Sequence, residues 1–399
     1  MSEKLFKRII YVIYPFSSFV YFAYLCYSGV RTGITITAAL LIGAVCIAAL
    51  KLVTFKTLED KLFALYLAYN LISGIWCVYY GIPVSVYLGE VSTTALPMVF
   101  YYIGRGFVKK DAGNFYVSYI IAALFMGFIG LIMHIWAPQF YIDYSFVNSM
   151  ISKADAATTR VRMNSLVGSG ELAVLETYSV CASAFFIRCK DKKQRIFGFV
   201  TLIWAVIFSF LANQRSGMFC VITGIAFFIL VDYLTDKTKS KKPIFIEFGV
   251  IIAAVIGIFI FARDVFDKYY IRIASIPQGF SERSESWVAA VNDMHNMWLG
   301  DGLGSRGHRA EGIQYYIVAD GGLVKIYTEM GIIGTSIIIF LLVLIYKKSL
   351  KKITKVVPEI AVITSAILMS IGSNVLEMEL CAPIVYFCLG RAVRIIHEE

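Results

Sequence analysis

Asn213, Gln214, Arg215, Ser216 and Gly217 join two long apolar runs, so Arg215 stands at the N-terminal end of the second run. Free backbone N–H groups and the helix dipole favour an anion at such a place, and a guanidinium adds fixed donors to them. A charge so close to hydrocarbon is costly and by default marks function. Arg162 holds similar ground upstream, ahead of the stretch Met163–Asn164–Ser165–Leu166–Val167–Gly168–Ser169–Gly170–Glu171 that leads into another apolar run. Glu171 and Glu176 then fall one to two turns inside that run, where carboxylates need partners. Arg162 or Arg215 can supply them, and this structural role competes with a catalytic one for both glutamates.

The C-terminal half adds a second group of residues. Arg283 stands four residues before Trp287, and Gly300–Asp301–Gly302–Leu303–Gly304–Ser305–Arg306–Gly307–His308 looks superficially like a phosphate loop. No strand pattern precedes it, so nucleotide binding is not expected, and its glycines suit tight turns or close backbone approach. Asp320–Gly321–Gly322 then opens a helix containing Tyr327–Thr328–Glu329–Met330–Gly331–Ile332–Ile333–Gly334. Asp320 fits an N-cap as well as it fits a general base. His308 is the best-placed histidine, because His134 ends an apolar run, His295 sits on an amphipathic segment and His397 lies at the basic C-terminus.

The elements that must hold these residues are membrane helices. Hydrophobic residues make up 59% of the 399 and charged residues only 16%, a balance foreign to a water-soluble domain. A crossing needs about 20 apolar residues. About twelve such runs can be placed by this length, near 9–28, 34–53, 61–82, 84–104, 115–137, 166–188, 196–212, 217–234, 244–262, 321–346, 356–376 and 379–396. The expected fold is one all-α bundle.

With Lys4, Lys7 and Arg8 in the cytoplasm, every second loop is basic, as the positive-inside rule asks: Lys51 to Lys61, Arg105 to Lys110, Arg188 to Arg195, Lys237 to Lys242 and Lys347 to Lys355. Arg391 and Arg394 place the C-terminus on the same side. The net charge of +10 thus marks loops beside anionic lipid, and nucleic-acid binding is set aside. The first run has no small-residue cleavage site and reads as an uncleaved anchor. All eight cysteines lie in or beside apolar runs without a C-x-x-C pair, so neither outer disulfides nor thiolate metal sites are expected.

Two outer connections are long, about 138–165 and about 263–320, and long loops in compact proteins tend to be functional. The larger has Trp287, Val291, Met294 and Trp298 at helical spacing between Pro277–Gly279 and Gly300, which predicts a short amphipathic helix on the membrane face. Outer cations are mostly arginine: Arg31, Arg160, Arg162, Arg215, Arg263, Arg272, Arg283, Arg306 and Arg309, with Lys153, Lys268 and Lys325. A planar fork suits phosphate or carboxylate capture better than a point charge does, so a polyanionic ligand is expected outside. Pairing with Asp264, Asp267, Glu282 or Glu285 is the simpler alternative for any one of them.

In this order and sidedness, Arg162, Gln214–Arg215–Ser216–Gly217, Arg283 with Trp287, Gly300–Asp301–Gly302–Leu303–Gly304–Ser305 and Glu329–Met330–Gly331–Ile332–Ile333–Gly334 resemble the O-antigen polymerase (Wzy) and O-antigen ligase superfamily. The resemblance covers roughly residues 160–345, and the first 150 residues support it only through topology. It implies metal-independent glycosyl transfer without a cofactor, on undecaprenyl-diphosphate-linked oligosaccharide as donor and acceptor, at the outer face of a bacterial inner membrane. Arg162, Arg215 and Arg283 would bind the diphosphate, with Glu171, Arg306, Arg309 and Glu329 in support. The ligases, and some polymerases, resemble each other in a histidine before the helix with the Gly-x-x-Gly element, where this chain has Asp320. That departure favours a repeat-unit polymerase over a ligase and leaves the base open between Asp320 and His308. A chain-length regulator and a flippase are the partners implied. Glu90, alone inside the fourth run, keeps a lipid-linked-oligosaccharide flippase or other transporter as the competing class.

Overall fold

The computed structural model describes residues 3–27, 53–147, 162–235 and 276–398. The runs expected near 34–53 and 244–262 lie outside these apart from Val53, as do Arg31, Lys153, Arg160, Arg263, Lys268 and Arg272. Among the described residues the chain is helical and contains no strand. Six helical stretches there are long and apolar enough to cross a membrane: Glu3–Cys26, Leu58–Tyr79, Lys109–Trp136, Ser169–Ile187, Lys192–Leu211 and Gly322–Met369. Their outward faces carry Phe19, Ile75, Ile132, Ile135 and Ile203, all more than half exposed, an arrangement that water would penalise and lipid accepts.

We name the helices α1 (Glu3–Tyr27), α2 (Leu58–Ile72), α3 (Gly74–Tyr79), α4 (Val84–Glu90), α5 (Phe100–Gly106), α6 (Lys109–Trp136), α7 (Gln139–Val147), α8 (Ser169–Ile187), α9 (Lys192–Leu211), α10 (Arg215–Thr235), α11 (Ile276–Asn292), α12 (Gly322–Ser349), α13 (Ile353–Met369) and α14 (Ala382–Glu398). The most buried of the six long apolar stretches is α8, which packs against α6, α9, α10 and α13. Around it Tyr116, Tyr119, Tyr178, Phe115 and Phe387 form the middle of one continuous core. Helices α5 and α14 cross so tightly that a Cβ on Gly104 would strike the Phe387 carbonyl, and one on Gly390 the Tyr101 carbonyl. Small residues at a crossing are the usual way for membrane helices to gain packing contact.

Three expected elements differ in detail. The run 84–104 is not one helix: α4 passes into a π-helical turn at Val91–Ala95 and a short turn at Leu96–Met98 before α5. Pro97 has no N–H to return to the Thr93 carbonyl, so the ladder slips there. The amphipathic helix α11 begins earlier than expected, through Pro277 and Gly279, and stops at Asn292. Trp287 and Val291 lie on it, whereas Met294, His295 and Trp298 follow its end.

The third difference is the break in α12, at Gly331 with φ 61° and ψ −168°. It exposes carbonyls below and amides above, which the loop 297–302 satisfies from the side. Asp301 N and Gly302 N donate to the Thr328 and Glu329 carbonyls at 2.9 and 2.8 Å. Ile332 N and Ile333 N donate to the Met297 and Trp298 carbonyls at 3.0 and 3.1 Å. A Cβ at Gly331 or Gly300 would collide with the other strand of this junction. The spacing of the two glycine motifs is thereby explained as one packed unit.

Ion pairs gather at both ends of the bundle. At one end Arg105 donates to Asp60 at 3.0 Å and pairs with Glu398, Lys348 pairs with Glu59 at 2.6 Å, and Lys7 with Asp111 at 2.7 Å. Thr57 and Asp60 form a capping box that starts α2 there. The other end carries the residues singled out for chemistry.

Candidate functional site

One backbone and one side-chain contact draw the α8 and α10 starts together. Met163 N donates to the Leu211 carbonyl at 3.0 Å, and Gln214 Nε2 donates to Ser169 Oγ at 3.3 Å. Asn213 adopts φ 52°, a left-handed conformation that asparagine tolerates, and so turns the chain sharply into α10. Arg162 and Arg215 therefore stand at one junction, each half-buried.

Arg283 reaches the same end from α11. Its Nη2 lies 2.9 Å from Asp320 Oδ2, with both side chains about half exposed. Its Nη1 donates to the Gly372 carbonyl at 3.3 Å, and its charge is felt at Arg215. Trp287, one turn further along α11, donates from Nε1 to the Asp320 carbonyl at 2.5 Å.

Asp320 is not an N-cap. Gly321 holds that position without a side-chain bond, and the first amides of α12 are met by the turn after α13. Gly322 N and Leu323 N donate to the Ser373 and Ser370 carbonyls at 3.3 and 3.0 Å. Asn374 completes the clasp, accepting from Gly321 N at 3.1 Å and donating to the Val318 and Ala319 carbonyls. The Asp320 carboxylate is thus left to Arg283 at the surface.

Glu171, one turn into α8, accepts from Leu380 N at 3.2 Å, so a backbone amide serves it rather than the expected arginine. Both carboxylate oxygens of Glu176 are buried without a hydrogen-bond partner among the described residues. The connection from Ser370 to Cys381 contributes two carboxylates that the apolar pattern hid, since the last run was expected to begin at 379 and α14 begins at Ala382. Burial pushes the Glu377 carboxyl up to about 7, opposed by Lys325 and reinforced by Glu90. Burial likewise pushes Glu379 up to about 7 against the pull of Arg309. Its Oε2 has no hydrogen-bond partner among the described residues.

A carboxyl raised in the folded state destabilises it as pH climbs from the unfolded value near 4.5 to the folded value near 7, and the cost stays at higher pH. We expect Glu379→Gln to raise the melting temperature of the purified protein by a few degrees at pH 8 and to change it little at pH 4.5. Equal shifts at both values would exclude titration of Glu379 as the cause.

The remaining residues named from the sequence form two interior networks. Arg306, fully buried, donates to Asp301 Oδ2 at 2.9 and 2.5 Å, to Asp293 Oδ2 at 2.7 Å, and to the Asp293 and Tyr316 carbonyls at 2.6 and 3.1 Å. Its own amide donates to Glu329 Oε1 at 3.1 Å. Lys325, expected at the outer surface, is buried among Glu90 at 2.6 Å, Glu329 at 3.4 Å and Glu377. Arg309 approaches Glu90 at 3.6 Å from the exposed side. His308 is exposed on the turn His308–Ala310, beside Arg309. His295, not singled out from the sequence, stacks on Tyr80 with ring centres 4.6 Å apart and lies 3.5 Å from Asp301.

The arrangement thus has a half-buried Arg215 and an exposed Arg283, with Arg162 at the adjoining junction and Asp320, Glu171 and Glu379 on the neighbouring elements. Guanidiniums that reach the surface, Arg215 at a helix start and Arg283 midway along α11, can bind phosphate groups, and the carboxylates can accept a proton. Among the described residues no group of histidine, cysteine and acidic side chains could hold a metal ion. No protein-family model matches the chain, and no curated protein matches it.

Proposed function

We propose that the protein is a polysaccharide polymerase of the bacterial inner membrane, with about twelve crossings set by their length and both termini cytoplasmic. It transfers a growing glycan from its polyprenyl diphosphate to a hydroxyl of a new lipid-linked repeat unit outside that membrane. The observation that carries the reading is the gathering of arginines from distant parts of the sequence at one end of the bundle, with Arg162 and Arg215 at the joined starts of α8 and α10 and Arg283 on α11 beside Asp320. Asp320 offsets part of the Arg283 charge, and planar guanidiniums beside it suit the oxygens of a diphosphate.

In the step proposed, the acceptor oxygen forms a bond to the anomeric carbon as the bond from that carbon to the diphosphate oxygen breaks. The electron pair leaves with the diphosphate, whose growing negative charge the arginines offset. The hydroxyl proton passes to a general base. Asp320 is the first choice because it adjoins Arg283, His308 is the second, and Glu379 adds a third.

A ligase acting on the same donor is the nearest alternative. A transporter is favoured by one observation, the buried group of Glu90, Lys325, Glu329 and Glu377, since charges inside a helical bundle often serve ion coupling. Deleting the gene and sizing the surface polysaccharide on a gel separates the three. Loss of the ladder with one repeat unit still attached is the expected result. Polymer accumulating on the lipid carrier would instead identify a ligase, and absence of lipid-linked repeats outside would identify a flippase.

A further inference from the structure

Helix α11 carries a second polar surface next to Arg283. Ser284, Val288 and Asn292 follow one another at i, i+4 and i+8, with Glu285 and Asp293 alongside, and Tyr316 closes the far side of an open groove of about 600 Å³. We propose that this groove binds the sugar residues of the lipid-linked glycan while Arg283 holds the diphosphate to which they are attached. The inference rests on the polymerase reading and adds to it the place where the sugar is recognised.

The chemistry of the lining suits a neutral polyol. Carboxylates, an amide and a hydroxyl offer paired acceptors and donors to vicinal diols, and the methyl groups of Val288 and the Tyr316 ring suit the C–H faces of a sugar. Tyr316 is about one third exposed and set edgewise against Tyr315 at 4.7 Å. Glu285 leaves the groove acidic, while the Asp293 charge is shared with Arg306, so a diphosphate finds its cation at Arg283 rather than in the groove.

The groove is also built in advance. The buried Arg306 guanidinium fixes Asp293 through its carboxylate and its carbonyl, and the backbone of Tyr316 through its carbonyl, so one group on each side of the groove is anchored before a ligand arrives. Arg306 is then a positioning residue for the sugar site and makes no contact with the anion. The geometry gives the length as well. Arg283 and Ser284 are about 100° apart around the helix, and the axis rises roughly 13 Å from Arg283 to Asn292, room for a short oligosaccharide running away from its diphosphate.

The test measures two probes against the full chain purified in detergent, by saturation-transfer NMR and titration. One probe is the neutral repeat-unit oligosaccharide released from the host's surface polysaccharide. The other is geranyl diphosphate, which has no sugar. Tyr316→Ala, Asn292→Ala and the milder Glu285→Gln should each weaken the oligosaccharide at least tenfold and leave geranyl diphosphate unchanged, whereas Arg283→Ala should do the reverse. Oligosaccharide affinity unchanged in all three groove variants would overturn the site, and so would wild-type protein that binds geranyl diphosphate alone; both results leave the polymerase reading in place. Wild-type protein that binds neither probe would overturn both.

Discussion

We expect Arg215→Ala and Arg283→Ala each to abolish the polysaccharide ladder in cells while the protein stays at its wild-type level in the membrane. Both side chains sit at the surface of the bundle end, half-buried or more exposed, so their loss leaves no charge stranded in the core. Removing one donor aimed at charge that develops in a transition state costs on the order of 10²–10³ in rate. A polymer made by repeated transfer loses its long products first under such a deficit. Arg283→Lys should recover part of the ladder, because a lysine keeps the charge beside Asp320 but cannot hold Asp320, the Gly372 carbonyl and a phosphate with one planar fork. Expression-matched membranes run on the same gel supply the comparison. A normal ladder from Arg215→Ala would remove the centre of the proposed site.

Lys325→Met should remove the folded protein itself. The ammonium is buried against Glu90, Glu329 and Glu377, and Arg309 is the other cation near Glu90. Taking away one partner of a buried ion group costs about 3–5 kcal/mol, since the remaining charges have lost their compensation. The damage would spread, because the same carboxylates tie α4, α12 and the turn after α13 together, and Glu329 also receives the Arg306 amide. Detergent extraction followed by size-exclusion of a fluorescent fusion should show a loss of the monodisperse peak of tenfold or more. Adding Glu90→Gln to Lys325→Met should restore part of it. A wild-type peak from the single variant would mean that these groups are kept for function, and would favour the transporter.

The long apolar helices were legible because a lipid solvent leaves little else to read. The runs that became α6, α8 and α9 announce themselves by length, whereas the Asp191 cap that starts α9 ahead of its apolar run shows only in the fold. The break at Val91–Ala95 was not legible, because apolar content masks a slipped ladder even where Pro97 stands in plain view. Arg283 and Arg306 look alike in sequence, both arginines near glycines in one long connection. What separates them is that Asp293 and Asp301 close around Arg306, and only the folded loop 293–318 brings those groups together. Lys325 misled for the same reason. Of its three partners only Glu329, four residues on, is within reach of a helical pattern, while Glu90 and Glu377 arrive from distant elements. The glycine motifs around 300 and 331 were recognisable as turns, but not as two halves of one junction.

The most direct measurement uses purified protein in lipid vesicles supplied with polyprenyl-diphosphate-linked repeat units and no nucleotide. We expect a ladder of lipid-linked oligomers that lengthens with time, releases one polyprenyl diphosphate per linkage, and disappears with Arg215→Ala. Intact repeat units after incubation with correctly folded wild-type protein, or their movement across the bilayer without elongation, would contradict the polymerase reading.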